Sequence, residues 1–330
     1  MFRPPGGTFF NYDYMKRLLS SLIALLLLTT GYAIEEPVVL HTPTGDIHGE
    51  LMLPENASSC PVVLIISGSG PTDRNGNTIG SQYKNNSLLY LAQELATKGI
   101  ATLRYDKRGI GESVAAGTSE EELRFEHYIE DAVGWAELLD KDSRFTDVTI
   151  AGHSEGSLIG IVASTQSSAV DKFISIAGAG RTAYEIIEEQ LSRQPVEIQR
   201  NAAYINGELR EGRIVEDVPS YLAALYRKSV QPYLISWFRY NPAEEIKKLQ
   251  IPVLIIQGDK DIQVGVGDAE RLRMARLFSS YYVIENMNHV LKHCETTDTF
   301  TQMQSYSDPE QPIKGELVEH IVRFILTQKQ

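Results

Sequence analysis

Gly152-His153-Ser154-Glu155-Gly156 lies between an apolar run, Val148-Thr149-Ile150-Ala151, and a helix-like stretch over residues 157–163. Strand, sharp turn and helix in that order predict a nucleophile elbow, a backbone that pushes the serine hydroxyl clear of a sheet. Such a turn needs small residues on both sides, because the strand and helix backbones approach closely. Gly152 and Gly156 supply them. The Glu155 amide would open the helix and face any oxyanion that forms beside Ser154.

The rest of the chain repeats the same alternation. Residues 38–40 and 47–51 read as two strands joined by a turn around Pro43-Thr44-Gly45. Val62-Val63-Leu64-Ile65-Ile66 is an unbroken apolar run, the signature of a strand buried on both faces. A helical stretch over residues 87–97 stops at Lys98-Gly99, and a strand over 100–105 follows. An amphipathic helix over 123–139 comes next, then strand-like runs at 148–151, 173–176, 251–256 and 281–284. This pattern predicts an α/β fold with a mostly parallel central sheet and helices on both faces. Between residues 181 and 250 the strands stop, and the expectation is a helical cap inserted in a domain running from 34 to 330. Tyr221, Tyr226, Tyr233, Trp237, Phe238 and Tyr240 in that insertion either line a cleft or pack the insertion's own core.

Ahead of this domain, Lys16-Arg17, an apolar run over 18–28 and Thr29-Thr30-Gly31-Tyr32-Ala33 read as a signal peptide cleaved after Ala33. Met15 is an alternative start. The expectation is an exported protein, periplasmic or secreted, with no stable membrane span once the leader is removed. A formal net charge of -12 over 330 residues argues against a nucleic-acid partner. Cys60 and Cys294 read as two separate thiols, and neither sits in a Cys-x-x-Cys or metal-ligand spacing.

A serine hydroxyl is a weak nucleophile until a base takes its proton and a carboxylate orients that base. An elbow of this kind takes its partners in the chain order serine, carboxylate, histidine. His289 follows the last strand almost at once and is the favoured base, with His293 a weaker alternative and His320 a surface residue of the final helix. The loop after residues 254–256 reads Gln257-Gly258-Asp259-Lys260-Asp261. Its spacing favours Asp261 as the acid over Asp259, a turn residue, and the more distant Asp268. The glycine-rich loop Ser67-Gly68-Ser69-Gly70 makes the Ser69 amide a candidate oxyanion donor beside that of Glu155. It lacks the Gly-Lys-Ser/Thr ending of a nucleotide loop. A calcium loop fails as well, with Thr78 and Lys84 standing where Gly and Glu are needed. Asp106 and Arg108, in a further polar loop, read as residues that pin neighbouring loops.

Elbow, acid, base and oxyanion loop in this order resemble the α/β-hydrolase superfamily from about Val38 to the carboxyl terminus. Residues 67–77, Asp106-Lys107-Arg108-Gly109-Ile110-Gly111-Glu112-Ser113 and Asn288-His289 resemble a bacterial, often exported, branch described as serine esterases or serine-aminopeptidase-like hydrolases. The resemblance implies Ser154 as nucleophile, Asp261 as acid and His289 as base. It also implies hydrolysis of small-molecule carboxylic esters, with short acyl chains expected, through an acyl-enzyme without metal or cofactor. Ser67 stands where many relatives carry histidine. Thioesterase or peptidase chemistry, or a non-catalytic ligand-binding role, are the alternatives on the same fold.

Overall fold

An apolar run such as residues 62–66 can be buried only if both faces of its sheet are covered. The computed structural model, which describes residues 33–55, 58–117 and 119–327, shows how this is done. The leader and the Met15 alternative lie outside the described residues. A hairpin of β1 (Ile34–Thr42) and β2 (Gly45–Leu53) precedes β3 (Cys60–Ile66), α1 (Ser87–Thr97), β4 (Ala101–Tyr105) and α2 (Phe125–Asp140). Then come β5 (Phe145–His153), α3 (Glu155–Gln166) and β6 (Lys172–Ile176). The stretch before the next strand is helical: α4 (Ala183–Leu191), α5 (Val196–Arg210), α6 (Ala223–Tyr226), α7 (Gln231–Trp237) and α8 (Pro242–Ile246). The chain closes with β7 (Val253–Gly258), α9 (Val266–Ala275), β8 (Ser280–Ile284), α10 (Thr299–Tyr306) and α11 (Gly315–Leu326).

The eight strands form one sheet in the order β1-β2-β4-β3-β5-β6-β7-β8. β1 and β2 are antiparallel to each other and β2 to β4, whereas β4, β3, β5, β6, β7 and β8 run parallel. Side chains alternate across the sheet, and two cores result. Val62, Leu64, Ile66, Ile150 and Phe173 face the layer holding α2, α3 and α9. Val63, Ile65, Ala151, Ile174 and Ile256 face the layer holding α1 and α11. Parallel strands demand such crossovers; α1, α2 and α11 each bury one apolar stripe, whereas α3 is buried along nearly its whole length.

The insertion has no core of its own. Its Ile187, Ile205, Leu209, Tyr226, Tyr233 and Leu234 belong to the same cluster as α2 and α3. Phe125 at the start of α2 lies within 6.3 Å, centroid to centroid, of Tyr233, Trp237 and Tyr240. Ser236 of α7 accepts the first amide of α2, that of Phe125, at 2.8 Å. α2 starts at Phe125, two residues later than the apolar pattern alone indicates, with Ser236 satisfying its first amide and His127 accepting that of Arg124.

Asp106 and Arg108 do pin loops. Asp106 accepts the Arg74 amide at 2.8 Å, the Arg74 guanidinium at 2.7 Å and the Glu112 amide at 3.0 Å. Arg108 makes a two-pronged pair with Asp131 of α2 and donates to Thr44 Oγ1 at 2.7 Å. Cys60 and Cys294 are both buried and unbridged. Among the described residues, no helix is long and apolar enough to cross a membrane.

Arg108 and Asp131 are 5% and 2% exposed in their side chains, so removal of one partner strands a buried charge. Asp131→Ala is expected to cost about 3–5 kcal/mol in urea unfolding. A cost below about 1 kcal/mol would show that the pair does not hold these loops.

Candidate active site

The site grows from the turn between β5 and α3. Ser154 has φ 56° and ψ −122°, a conformation that non-glycine residues rarely adopt. The surroundings enforce it. A Cβ on Gly152 would fall 2.1 Å from the Gly156 carbonyl oxygen, and one on Gly156 would fall 2.4 Å from that of Ile66. The Ser154 amide donates to the Ile176 carbonyl at 3.0 Å, which ties the turn to the neighbouring strand β6. The hydroxyl is thereby presented at the carboxyl ends of the parallel strands, where open α/β sheets place their ligands.

His289 comes from the loop after β8 and Asp261 from the loop after β7. His289 Nε2 lies 3.1 Å from Ser154 Oγ, and its Nδ1 lies 2.7 Å from Asp261 Oδ2. The carboxylate also accepts from Gln257 Nε2 at 2.9 Å and from the amides of Gln263 and Val264 at 2.8 and 2.9 Å. With Nδ1–H donating to Asp261, the lone pair of Nε2 faces the serine hydroxyl. Both side chains are nearly sealed from water, at 6% for His289 and 0% for Asp261. The two loops are joined to each other. The Lys260 amide donates to the Met287 carbonyl at 3.1 Å, and Asp259 Oδ1 accepts the Asn286 amide at 2.6 Å.

The alternative residues lie elsewhere. Asp259 is the turn acceptor just described. Asp268 binds the Arg181 guanidinium and the Gly180 amide. His293 is half exposed and contacts Glu295. His320 is on the last helix, as expected, but it is not a free surface residue. Its ring stacks on Tyr282 at 3.7 Å and is only 14% exposed.

Ser69, Ser154 and Glu155 line one cavity of about 750 Å³, with Leu123, Leu158, Ile186, Ile187, Leu225 and Leu234 among its apolar walls. Of the six aromatic residues singled out in the insertion, Tyr233 and Trp237 reach this cavity. Tyr226 is buried and donates to Asn206, Phe238 and Tyr240 pack on neighbouring rings, and Tyr221 is half exposed. Two members of that group thus line the cleft, and the buried others pack into the core shared with α2 and α3 rather than into one of the insertion's own. Among the described residues, no cluster of three or more His, Cys, Asp or Glu side chains is arranged to hold a metal ion.

Two features escaped the sequence. The first is His153, buried beside His289 with ring centroids 4.9 Å apart, whose Nε2–H donates to the His289 carbonyl at 2.8 Å. Burial, and then the nearby His289, push its pKa down from 6.5 to about 4. The second is a buried network in which Lys107 Nζ donates to Glu155 at 2.8 Å and Tyr233 donates to the same carboxylate. The glycine signature drew attention to the turn and gave no sign that His153, Lys107 and the Glu155 and Tyr233 side chains meet around it.

Because His153 holds a proton less readily in the fold than in the unfolded chain, the unfolded chain takes up the proton first as pH falls. Its contribution to stability is therefore complete above about pH 6.5 and is lost on acidification toward pH 4. The loss amounts to about 3 kcal/mol. His153→Gln keeps a donor for the His289 carbonyl and should flatten the fall in Tm over this range. An unchanged slope would contradict the assignment.

Comparison with known proteins places the chain among hydrolases of this fold. The sequence model of the family described as "Serine aminopeptidase, S33" matches residues 83–215, a span that holds Ser154 but neither Asp261 nor His289. Esterase EstD of Thermotoga maritima is 27% identical over 289 residues, 83% of this chain, and the chain spans 65% of that relative's length. Among solved structures, Est1E of Butyrivibrio proteoclasticus with bound ferulic acid aligns with a TM-score of 0.59 at 17% identity, over 88% of this chain and 100% of its own. The acylaminoacyl peptidase of Pyrococcus horikoshii aligns with a TM-score of 0.56 at 13% identity, over 93% of this chain and 44% of its own. Esterases and a peptidase thus share this architecture, and fold alone does not choose between them. The chain has the α/β-hydrolase fold.

Proposed function

We propose that the protein is a serine hydrolase that cleaves small-molecule carboxylic esters, with short acyl groups preferred. Ser154 Oγ attacks the ester carbonyl while His289 Nε2 takes its proton, and Asp261 holds the imidazole in the required tautomer and steadies the imidazolium. The amides of Ser69 and Glu155 receive the oxyanion. His289 then returns the proton to the departing alcohol, and an acyl-enzyme remains on Ser154. Water, activated by the same imidazole, releases the acid. The observation that carries this reading is the unbroken line from Ser154 Oγ through His289 to Asp261, with steps of 3.1 and 2.7 Å.

Ester rather than aminopeptide substrates are favoured by the charges around the cavity. An aminopeptidase has to receive a substrate ammonium group on a carboxylate. The two carboxylates that line this cavity are already engaged, Glu155 by Lys107 and Tyr233, and Glu120 by Arg227 and Ser229. The esterase named above as a relative points the same way.

Ser154→Ala is expected to lower kcat on p-nitrophenyl acetate or butyrate by at least ~10³-fold without loss of fold. Normal turnover by that variant would end the proposal. The wild-type protein should prefer p-nitrophenyl esters to aminoacyl-p-nitroanilides, and the reverse preference would establish a peptidase instead.

We also take residues 1–33 to be an export leader on the pattern of its charged, apolar and small residues. N-terminal sequencing of the mature protein from its own cell envelope or medium should begin at Ile34. An intact leader on the mature, cytoplasmic protein would refute export.

A further inference from the structure

Lys107 and Glu155 meet at the wall of the cavity, and the line from Ser154 to Asp261 makes no use of either side chain. Both are buried, with side-chain exposures of 1% and 3% and a separation of 2.8 Å. A buried ion pair seldom stabilises a fold more than apolar residues of the same size, so stability gives little reason for one here.

The ammonium group has a second bond. Lys107 Nζ donates to the Gly68 carbonyl at 2.6 Å, and the Tyr128 ring lies 4.8 Å from it on a further side. That carbonyl belongs to the same peptide unit as the Ser69 amide. The unit is trans, so its C=O and N–H point in opposite directions, and fixing the oxygen fixes where the N–H aims. Gly68 sits against the elbow, since a Cβ on it would lie 3.2 Å from Ser154 Cβ. The other partner of Lys107 is the side chain of Glu155, the residue whose amide opens α3 directly after Ser154. Tyr233, from α7 of the insertion, donates to the remaining oxygen of that carboxylate. Burial, and then the Glu155 carboxylate, hold the Tyr233 phenol well above its ordinary pKa, so it stays a donor.

We propose that Lys107 is a positioning residue of the oxyanion hole: it aims the Ser69 amide through the Gly68 carbonyl and locks that peptide to Glu155, the residue bearing the second amide. The inference rests on the serine-hydrolase reading above. Lys107 touches no reacting atom. It acts by keeping two donors from different loops at one spacing, and Tyr233 ties that spacing to the seating of the insertion. A hole held this way needs little reorganisation when charge develops.

The test compares wild type, Lys107→Met and the double variant Lys107→Met/Glu155→Gln, which avoids a stranded carboxylate. Circular dichroism and Tm establish that each is folded. A misaligned hole weakens the transition state more than the ground state. For the folded double variant, kcat on p-nitrophenyl butyrate should therefore fall about 10- to 100-fold with KM changed less than about threefold. Its Kd for phenylboronic acid, which forms a tetrahedral adduct on the serine, should rise by a similar factor. A purely structural role would lower Tm and leave the kcat of folded protein and the boronate affinity untouched, and that result overturns the proposal. Wild-type protein that turns over no ester would overturn the hydrolase reading and this inference together. An active wild type with an undiminished double variant would overturn this inference alone.

Discussion

The site depends on one strained backbone turn. Ser154 is held at φ 56° and ψ −122° because β5, α3 and the end of β3 come too close for any side chain at Gly152 or Gly156. A residue in such a conformation costs about 1–3 kcal/mol, and only over-determined surroundings keep it there. Those surroundings are the centre of the sheet: β5 pairs with β3 on one side and β6 on the other, both in parallel register. The two cores on either face hold these strands, so burial far from the turn keeps the serine in its conformation.

The partners of the serine reach it by loops that are fastened to each other. The loops after β7 and β8 exchange backbone and side-chain bonds through Asp259, Lys260, Asn286 and Met287, which couples the placement of Asp261 to that of His289. His153, the residue before the serine, donates to the His289 carbonyl and closes the circuit to the elbow. Three segments distant in sequence are therefore bonded to one another. The network of Lys107, Glu155 and Tyr233 adds the loop after β4 and the insertion to the same assembly.

Much of this was legible in the sequence, because the elements in question are set by local pattern. Residues 62–66 are apolar without interruption and lie in a central strand. Ser87–Thr97 is the helix that its periodicity and the Lys98-Gly99 stop indicate. Gly152 and Gly156 marked the elbow, since only a close backbone approach demands glycine at both places. Contacts across the fold were not legible. Nothing in the periodicity of residues 181–250 reveals that α7 caps α2 through Ser236, or that its Tyr233 bonds to Glu155. The stacking of His320 on Tyr282 is of the same kind, because it depends on how α11 lies against β8. A buried lysine in a polar loop looks like any other loop lysine until the fold supplies its partners.

In the proposed mechanism Ser154 is activated by a line of contacts that ends at Asp261. The most direct measurement is mass spectrometry of folded protein after treatment with a fluorophosphonate, comparing wild type with His289→Ala. One adduct is expected, on the peptide carrying Ser154, formed rapidly by the wild type and at least ~10³-fold more slowly once the imidazole is gone. An unmodified Ser154 in folded wild-type protein, or labelling that proceeds equally well without His289, would contradict this mechanism.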